Sequence, residues 1–482
     1  METPDIKYPV PLMYIAGEWR RGGGGTCGEV RNPANGTVLA EVPRASVHDL
    51  DDALAASSKA FDLWRHKSAI ERSAVLRRAA DLIRERCSAL ARLMTLEQGK
   101  TLAESVTEVS GAAEVFDWYS AEALRAYGRV IPARLPGARQ LVLQQPLGPV
   151  AAFTPWNFPA ALPARKIAAA LAAGCTVVIK PSEETPASTI GIAQALHDAG
   201  MPAGALNVVF GVPAEVSTHL IRSEVIRKIH FTGSTAVGRQ LALLAAEGVK
   251  PCTLELGGHA PVLVFDDADL GRAVATCIQG KTRNAGQVCT SPTRFIVQDG
   301  IHDEFVRRYG EAMDGVVVGS GLDASSQMGA LANERRLTTV EGLVADAVSK
   351  GGRLVAGGRR AHASGYFMRP TLVADVPPHA NAMQVEPFGP IALVSRFSTL
   401  EQGLAEANRL PFALAAYAFT TSAATAVAVG DELQAGGVAI NNFAVSHVEA
   451  PFGGMKDSGY GIEGGPEGLS AFMRPKYIHH TT

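Results

Sequence analysis

The residues that could do chemistry are few and far apart in the chain. Cys289 lies in Arg283-Asn284-Ala285-Gly286-Gln287-Val288-Cys289-Thr290. A thiolate is a strong nucleophile where its charge is favoured and the chain leaves room for approach, and Gly286 supplies that freedom. Glu255, in Leu254-Glu255-Leu256-Gly257-Gly258, is a single charge at the end of an apolar run. Such a carboxyl is costly unless paired or used, and burial raises its pKa towards that of a general base. Asn157 stands in Phe153-Thr154-Pro155-Trp156-Asn157-Phe158-Pro159, with prolines fixing the backbone on both sides. A pinned amide suits donation to an oxyanion. Each residue taken alone also has an ordinary structural reading: a buried apolar cysteine, a buried ion pair, a turn-shaping asparagine.

A second group of residues points to a nucleotide. Phe231-Thr232-Gly233-Ser234-Thr235-Ala236-Val237-Gly238-Arg239 passes from a strand into a helix. A Gly-containing turn at a helix N-terminus suits a pyrophosphate. The run is not a Walker A loop, because Arg239-Gln240 replaces the required Lys-Ser/Thr. Lys180, Ser182 and Glu183 end another strand, where ribose hydroxyls sit in doubly wound folds, although an exposed charged turn reads the same way. A G-x-G-x-x-G does occur at Gly459, Gly461 and Gly464, but it follows no predicted strand and opens no obvious helix. It reads as a loop.

The elements that must hold these residues follow from periodicity. Residues 47–127 carry apolar positions at helical spacing, among them Leu50, Leu54, Phe61 and Leu63, with charges on the other face. From about Leu141 the texture alternates strand and helix: GPVAAFT, PARKIAAALAAG, CTVVIK, TPASTIGIAQALHDAG, ALNVVFG, PAEVSTHLIRS, RKIHFTG. A second alternating block runs from PVLVFDDADL to about Ser446. Short loops between such elements argue for parallel, doubly wound sheets. RVIPARLPGARQLVLQQP reads as a protruding hairpin or a partner-contacting strand, and FMRPKYIHH as one more strand.

Composition excludes several classes. In 482 residues, 47% are hydrophobic and 19% charged, with 45 basic against 47 acidic side chains. That is material for large cores, with no basic excess to hold nucleic acid. The apolar stretch at 167–179 is too short to span a bilayer, and no signal peptide is read at the start. The six cysteines are scattered, with no C-x-x-C pair and no H-e-x-x-H histidine pair elsewhere. We therefore expect no disulfide framework, no metal, no membrane contact and a reducing, cytoplasmic setting.

Individually weak, these signals occur in a telling order: Asn157, Lys180, Gly233-Ser234, Glu255, Cys289, Glu386 in Glu386-Pro387-Phe388-Gly389-Pro390, then Pro451-Phe452-Gly453-Gly454. Together they resemble the NAD(P)-dependent aldehyde dehydrogenase superfamily over nearly the whole chain. The resemblance implies an α/β fold with two doubly wound parallel-sheet domains and a small β oligomerisation element. The expected division is 1–125 and 147–254 for NAD, 255–454 for catalysis, and 126–146 with 455–482 for bridging into a homodimer or homotetramer. It implies Cys289 as nucleophile, Glu255 as general base and Asn157 with the Cys289 N–H as oxyanion hole. Around NAD, with NADP possible, it implies Thr154, Pro155, Trp156, Lys180, Ser182, Glu183, Gly233, Ser234, Val237, Leu256, Glu386 and Phe388. Thiolate attack on the aldehyde, hydride loss to the nicotinamide and hydrolysis of the resulting thioester complete the expected reaction.

Within the superfamily the sequence is most similar to succinate-semialdehyde and α-ketoglutaric-semialdehyde dehydrogenases. Arg165, Arg283 and Ser446 stand where the former bind the distal carboxylate of their substrate, with Phe158 and Phe452 beside them. Two guanidinium groups suit a carboxylate through charge-assisted bonds, although either arginine could instead pair locally. Ser291 replaces a second cysteine common near the nucleophile, which removes a local disulfide switch. Residues 457–467 look more like the α-ketoglutaric-semialdehyde group, His447 adjoins the expected pocket, and an aromatic or aliphatic aldehyde stays open as an alternative. A thiol hydrolase lacks its histidine signature here, and a non-catalytic binding protein fits poorly with Cys289, Glu255 and Asn157 all present. Glu183 can bind two ribose hydroxyls but repels a 2′-phosphate. Glu183→Ser is therefore expected to raise the NADP/NAD ratio of kcat/KM; an unchanged ratio contradicts this role for Glu183.

Overall fold

The structure, a computed structural model, describes residues 7–481. The helical region expected over 47–127 resolves into four α-helices, Val47–Trp64, Ala69–Glu85, Cys87–Gln98 and Leu102–Glu122, with a last 3₁₀ turn at Ala123–Arg125. The breaks are chemical. Ser46, Ser68 and Thr101 each accept from the backbone N–H three residues on, and Asp49, Glu71 and Glu104 reach back in capping boxes. Gly99 closes the third helix in the left-handed conformation that glycine adopts without cost. Buried Trp64 donates from Nε1 to the Leu171 carbonyl at 3.0 Å and so ties the first of these helices to the helix Ala161–Ala173.

Two large sheets form the body. The first has eight strands in the order Glu18–Arg20, Met13–Ile15, Leu206–Val208, Val177–Lys180, Val150–Phe153, Lys228–Thr232, Cys252–Glu255 and Gly459–Tyr460. Its five central strands are parallel, and both flanks are antiparallel. The chain winds outward from Val150–Phe153 to one side, then returns to place Lys228–Thr232 on the other. This is a topological switch point, where doubly wound sheets bind ligands at the carboxyl ends of their strands. The second sheet has seven strands in the order Arg353–Ala356, Thr371–Ala374, Ile391–Phe397, Pro292–Gln298, Ala260–Val264, Ala415–Phe419 and Gly437–Ile440, all parallel except the first. One large apolar core serves the first sheet and its helices, and separate clusters serve the second. The α/β class with two doubly wound sheets is as expected.

The hairpin read at 129–146 is Arg129–Ile131 paired with Ala138–Pro146. The tail strand Met473–Thr481 pairs along the other edge of Ala138–Pro146 over nine residues. The loop expected at 459–464 is a correction. Gly459–Tyr460 extends the first sheet against Leu254 and Glu255, and Gly465–Ser470 is a short helix. Two residues of strand leave no periodicity to read, so the pairing is visible only in three dimensions. Among the described residues no helix is long and apolar enough to cross a membrane.

Candidate active site

The carboxyl ends of the first sheet's strands meet the amino ends of the second's. Asn157 follows Phe153, Gly233 follows Thr232, and Glu255 closes its own strand. From the other side, residues 256–259 lead into Ala260–Val264, Cys289 precedes Pro292–Gln298, and Glu386 precedes Ile391–Phe397. Asn157 is buried, and its Nδ2 donates to the Gln287 carbonyl at 3.0 Å, so it lies against the loop that carries Cys289. Its Oδ1 is buried without a partner.

The loop around the cysteine is sharply wound. Asn284 (φ 48°), Ala285 (φ 52°) and Gly286 (φ 71°) are consecutive left-handed residues. A Cβ at Gly286 would stand 2.1 Å from the Gly389 carbonyl oxygen, so only glycine fits. Burial pushes the Cys289 thiol up to about 12; the charges of Glu386 and Glu255 act in the same direction, and Arg283 opposes them. The free site therefore holds its cysteine as a thiol at neutral pH.

Glu255 is 3% exposed, and neither carboxyl oxygen has a partner. Burial raises its pKa well above the carboxylate range, and the Glu463 charge raises it further, against Lys166 and Arg165. Glu463 itself is the buried ion-pair partner in this corner. Its Oε1 lies 2.6 Å from both Lys166 Nζ and His230 Nε2. Burial disfavours its charge, but Lys166 and His230 outweigh burial and hold the carboxyl below its ordinary value. Sequence reasoning missed this triad, although a lysine inside the alanine-rich run of the helix Ala161–Ala173 was a usable signal.

The residues expected around a dinucleotide line the same seam. Ser234 caps the helix Thr235–Glu247, accepting from the Val237 N–H, and that helix has no acidic residue in its first turn to compete with an anion. A Cβ at Gly233 would meet the Phe231 ring at 2.3 Å, and one at Gly238 would meet Leu256 at 2.4 Å, so the turn and helix stay close to the sheet. Thr154 Oγ1 is buried and unpartnered. Lys180 pairs with Glu183, which also accepts from the Gly211 N–H at 3.3 Å. Ser182 accepts from the Glu184 N–H rather than facing outward freely. Glu386 accepts from the Gly258 N–H at 3.1 Å, and burial lifts it to about 7. The Trp156 and Phe388 rings meet edge to face at 5.5 Å. An open helix N-terminus, carboxylates at the strand ends and an orphaned hydroxyl fit a dinucleotide. Among the described residues no cluster of histidine, cysteine or carboxylate side chains is placed to hold a metal.

Of the expected substrate residues, Arg283 is near enough to act on Cys289 by charge, and Arg165 on Glu255. Arg165 lies over the Phe452 ring at 5.5 Å and Arg283 over the Phe158 ring at 5.3 Å. Arg165 Nη2 donates to the main-chain carbonyl of Ser446 at 2.6 Å, and its Nη1 is buried without a partner. Ser446 thus meets Arg165 through its backbone, and its exposed side chain holds no bond to it.

A model of the aldehyde dehydrogenase family matches residues 19–478. The chain belongs to the aldehyde dehydrogenase family. It is 50% identical over 475 residues to the 4-(hydroxymethyl)benzenesulfonate dehydrogenase TsaD1 of Comamonas testosteroni, covering 98% of this chain and 99% of that one. It is 43% identical over 464 residues to the NADP(+) succinate-semialdehyde dehydrogenase GabD of Escherichia coli, covering 96% of each. The crystal structure of succinate-semialdehyde dehydrogenase from Burkholderia pseudomallei superposes with a TM-score of 0.96 at 40% identity, covering all of both chains. This aldehyde dehydrogenase is accordingly an NAD(P)-dependent oxidoreductase.

The raised Cys289 pKa has a directional consequence. Alkylation of Cys289 by iodoacetamide in the cofactor-free enzyme is expected to accelerate about tenfold per pH unit from 7 to 10, because only the thiolate reacts. A rate that levels off below pH 8 contradicts the placement of Cys289 in this buried, carboxylate-flanked setting.

Proposed function

We propose that this dehydrogenase oxidises an aldehyde carrying a distal anion, in the manner of succinate or glutarate semialdehyde, to the corresponding acid. The observation that carries the reading is Arg165: a guanidinium with one buried nitrogen lacking any partner, beside the cysteine and the isolated glutamate. A buried cation left unpaired is costly, and an anionic substrate end relieves that cost. Arg283 stands on the other wall, over Phe158. The relatives named for succinate and glutarate semialdehydes support this substrate class.

The chain's own groups divide the work. Cys289 reacts as the thiolate left when its thiol proton passes to solvent: Sγ attacks the aldehyde carbon, and the alkoxide that forms is held by the free N–H of Asn157 Nδ2 and the Cys289 backbone N–H. Acceptance of the hydride from that carbon is the chemistry NAD(P) supplies when bound. Cys289 is then left acylated as a thioester. Glu255 takes a proton from water, whose oxygen attacks the acyl carbon and releases the acid and the thiolate. Because Glu255 acts as a base only when ionised, its raised pKa makes hydrolysis rise with pH through that value. Lys180 and Glu183 bind the adenosine ribose, with NAD favoured by Glu183. The turn at Gly233 and Ser234 holds the pyrophosphate, and Glu386 with Phe388 places the nicotinamide end.

A second reading has a specific observation behind it. Each arginine lies over an aromatic ring, Arg165 over Phe452 and Arg283 over Phe158, and the 50% identical relative is named for a benzenesulfonate, so an aromatic aldehyde with a distal anion also fits. The sheet strands Arg129–Ile131, Ala138–Pro146 and Met473–Thr481 form the bridging element of a homodimer or homotetramer. The exposed Tyr127, Val130, Leu135 and Tyr477 on or beside its strands support that reading. All six cysteines are free, which suits a reducing cytoplasm.

The test is a panel of succinate, glutarate and α-ketoglutaric semialdehydes, 4-sulfobenzaldehyde, butanal and benzaldehyde, each with NAD and NADP. Anionic aldehydes should lead in kcat/KM, and Arg165→Ala should cost them about 10- to 100-fold while sparing butanal. Equal turnover of butanal and the semialdehydes contradicts the anion pocket. A lead for 4-sulfobenzaldehyde over the semialdehydes selects the aromatic reading.

A further inference from the structure

Asn284 carries more bonds than a strained loop residue needs. Its N–H donates to Glu104 Oε1 at 2.7 Å, and its carbonyl accepts from Gln287 N and Nε2, both at 3.0 Å. Its Oδ1 accepts from Gln98 Nε2 at 2.9 Å. Its Nδ2 donates to the Asn157 carbonyl at 2.9 Å and to the Gln287 carbonyl at 3.2 Å. Every polar group of the residue is satisfied, and the side chain is 2% exposed. The left-handed backbone is costly for a non-glycine residue, least for asparagine and aspartate, so this position selects a short polar side chain.

The two carbonyls that Nδ2 grips are informative. One belongs to Asn157 itself, and Lys100 Nζ reaches the same oxygen at 2.8 Å. The other, Gln287, is the carbonyl to which the Asn157 side chain donates. Gln287 lies two residues before Cys289, so its peptide orients the turn that presents the Cys289 N–H. The Asn284 amide therefore bridges the two sources of the proposed oxyanion hole, one on each sheet's side of the seam. Gln98 fixes the amide's orientation from the helix Cys87–Gln98, and Glu104 anchors its backbone from the helix Leu102–Glu122.

We propose that Asn284 is a positioning residue for the oxyanion hole, locking the Asn157 amide and the Cys289 N–H into one geometry across the domain seam. The proposal rests on the reading of Asn157 as an oxyanion donor. It touches neither substrate nor cofactor and acts through Asn157 and the 287–289 backbone. Donors aimed at a developing charge work only when preorganised, and displacement by about 1 Å can cost about 10²-fold in rate.

A double-mutant cycle with Asn157→Ala tests it. Asn284→Asp keeps the left-handed preference and the Gln98 acceptor but turns the Nδ2 donor into an oxygen facing two carbonyls. Asn284→Gly keeps the backbone and removes the clamp without repulsion, which covers a folding failure of the aspartate. The readouts are kcat and KM for NAD-dependent oxidation, cofactor-free hydrolysis of p-nitrophenyl acetate, and the Kd of NAD by fluorescence. Each Asn284 variant should lower both kcat values about 10²-fold, with KM and the NAD Kd within about twofold. In the Asn157→Ala background the same changes should cost no more than about tenfold, since one of the two donors they align is gone and only the Cys289 N–H remains to be displaced. Losses that multiply across the two sites, or Asn284 variants with wild-type kcat, overturn the proposal. If Asn157→Ala alone leaves both activities intact, the oxyanion reading itself fails, and this outcome is distinct from the other two.

Discussion

A carboxyl group buried without a partner is the feature on which the rest of this site depends. Glu255 ends a central strand of the first sheet, faces the second sheet, and has no bond to either oxygen. Burial holds its pKa well above the ordinary carboxylate range. Glu463 raises it further, while Lys166 pairs with Glu463; burial pushes His230 down to about 3, so it faces Glu463 as a neutral ring. Cys289 is a thiol for the same reasons of burial and nearby carboxylates. Charge is thus disfavoured at both Glu255 and Cys289, in a setting where low polarity makes each hydrogen bond to a developing charge count most.

The architecture supplies this setting by opposing two sheets end to end. The first presents its carboxyl ends, with an open helix N-terminus and the 154–158 turn. The second presents its amino ends, with the cysteine loop and Glu386. Neither sheet holds the whole set: Asn157 and Glu255 come from the first, Cys289 and Glu386 from the loops that lead into the second. The bonds from Asn157 to the Gln287 carbonyl, and from Asn284 to the Asn157 carbonyl, tie the two halves to each other. Arg165 over Phe452 and Arg283 over Phe158 add positive charge beside Glu255 and Cys289 respectively.

Much of this was legible in the sequence, for identifiable reasons. Capping serines and threonines, helical periodicity and β-branched runs mark the helices and central strands, and the motifs around Cys289, Glu255 and Asn157 are contiguous in the chain. What was not legible depends on contacts between distant residues. Gly459–Tyr460 is too short to show a strand pattern and joins its sheet only by meeting Leu254 and Glu255. Glu463 acquires meaning only beside Lys166, 297 residues earlier in the chain. Asn284 was quoted as part of a motif, but its left-handed backbone and its grip on Asn157 have no local signature.

The central claim is that Glu255 serves as the base that clears an acyl group from Cys289, and it is tested most directly with Glu255→Gln. Mixed with NAD and the best aldehyde, this variant should release one equivalent of reduced nicotinamide per site and then stop. Intact mass spectrometry should show Cys289 carrying the acyl group. Steady turnover at a wild-type rate, with no acyl adduct on Cys289, would contradict the account.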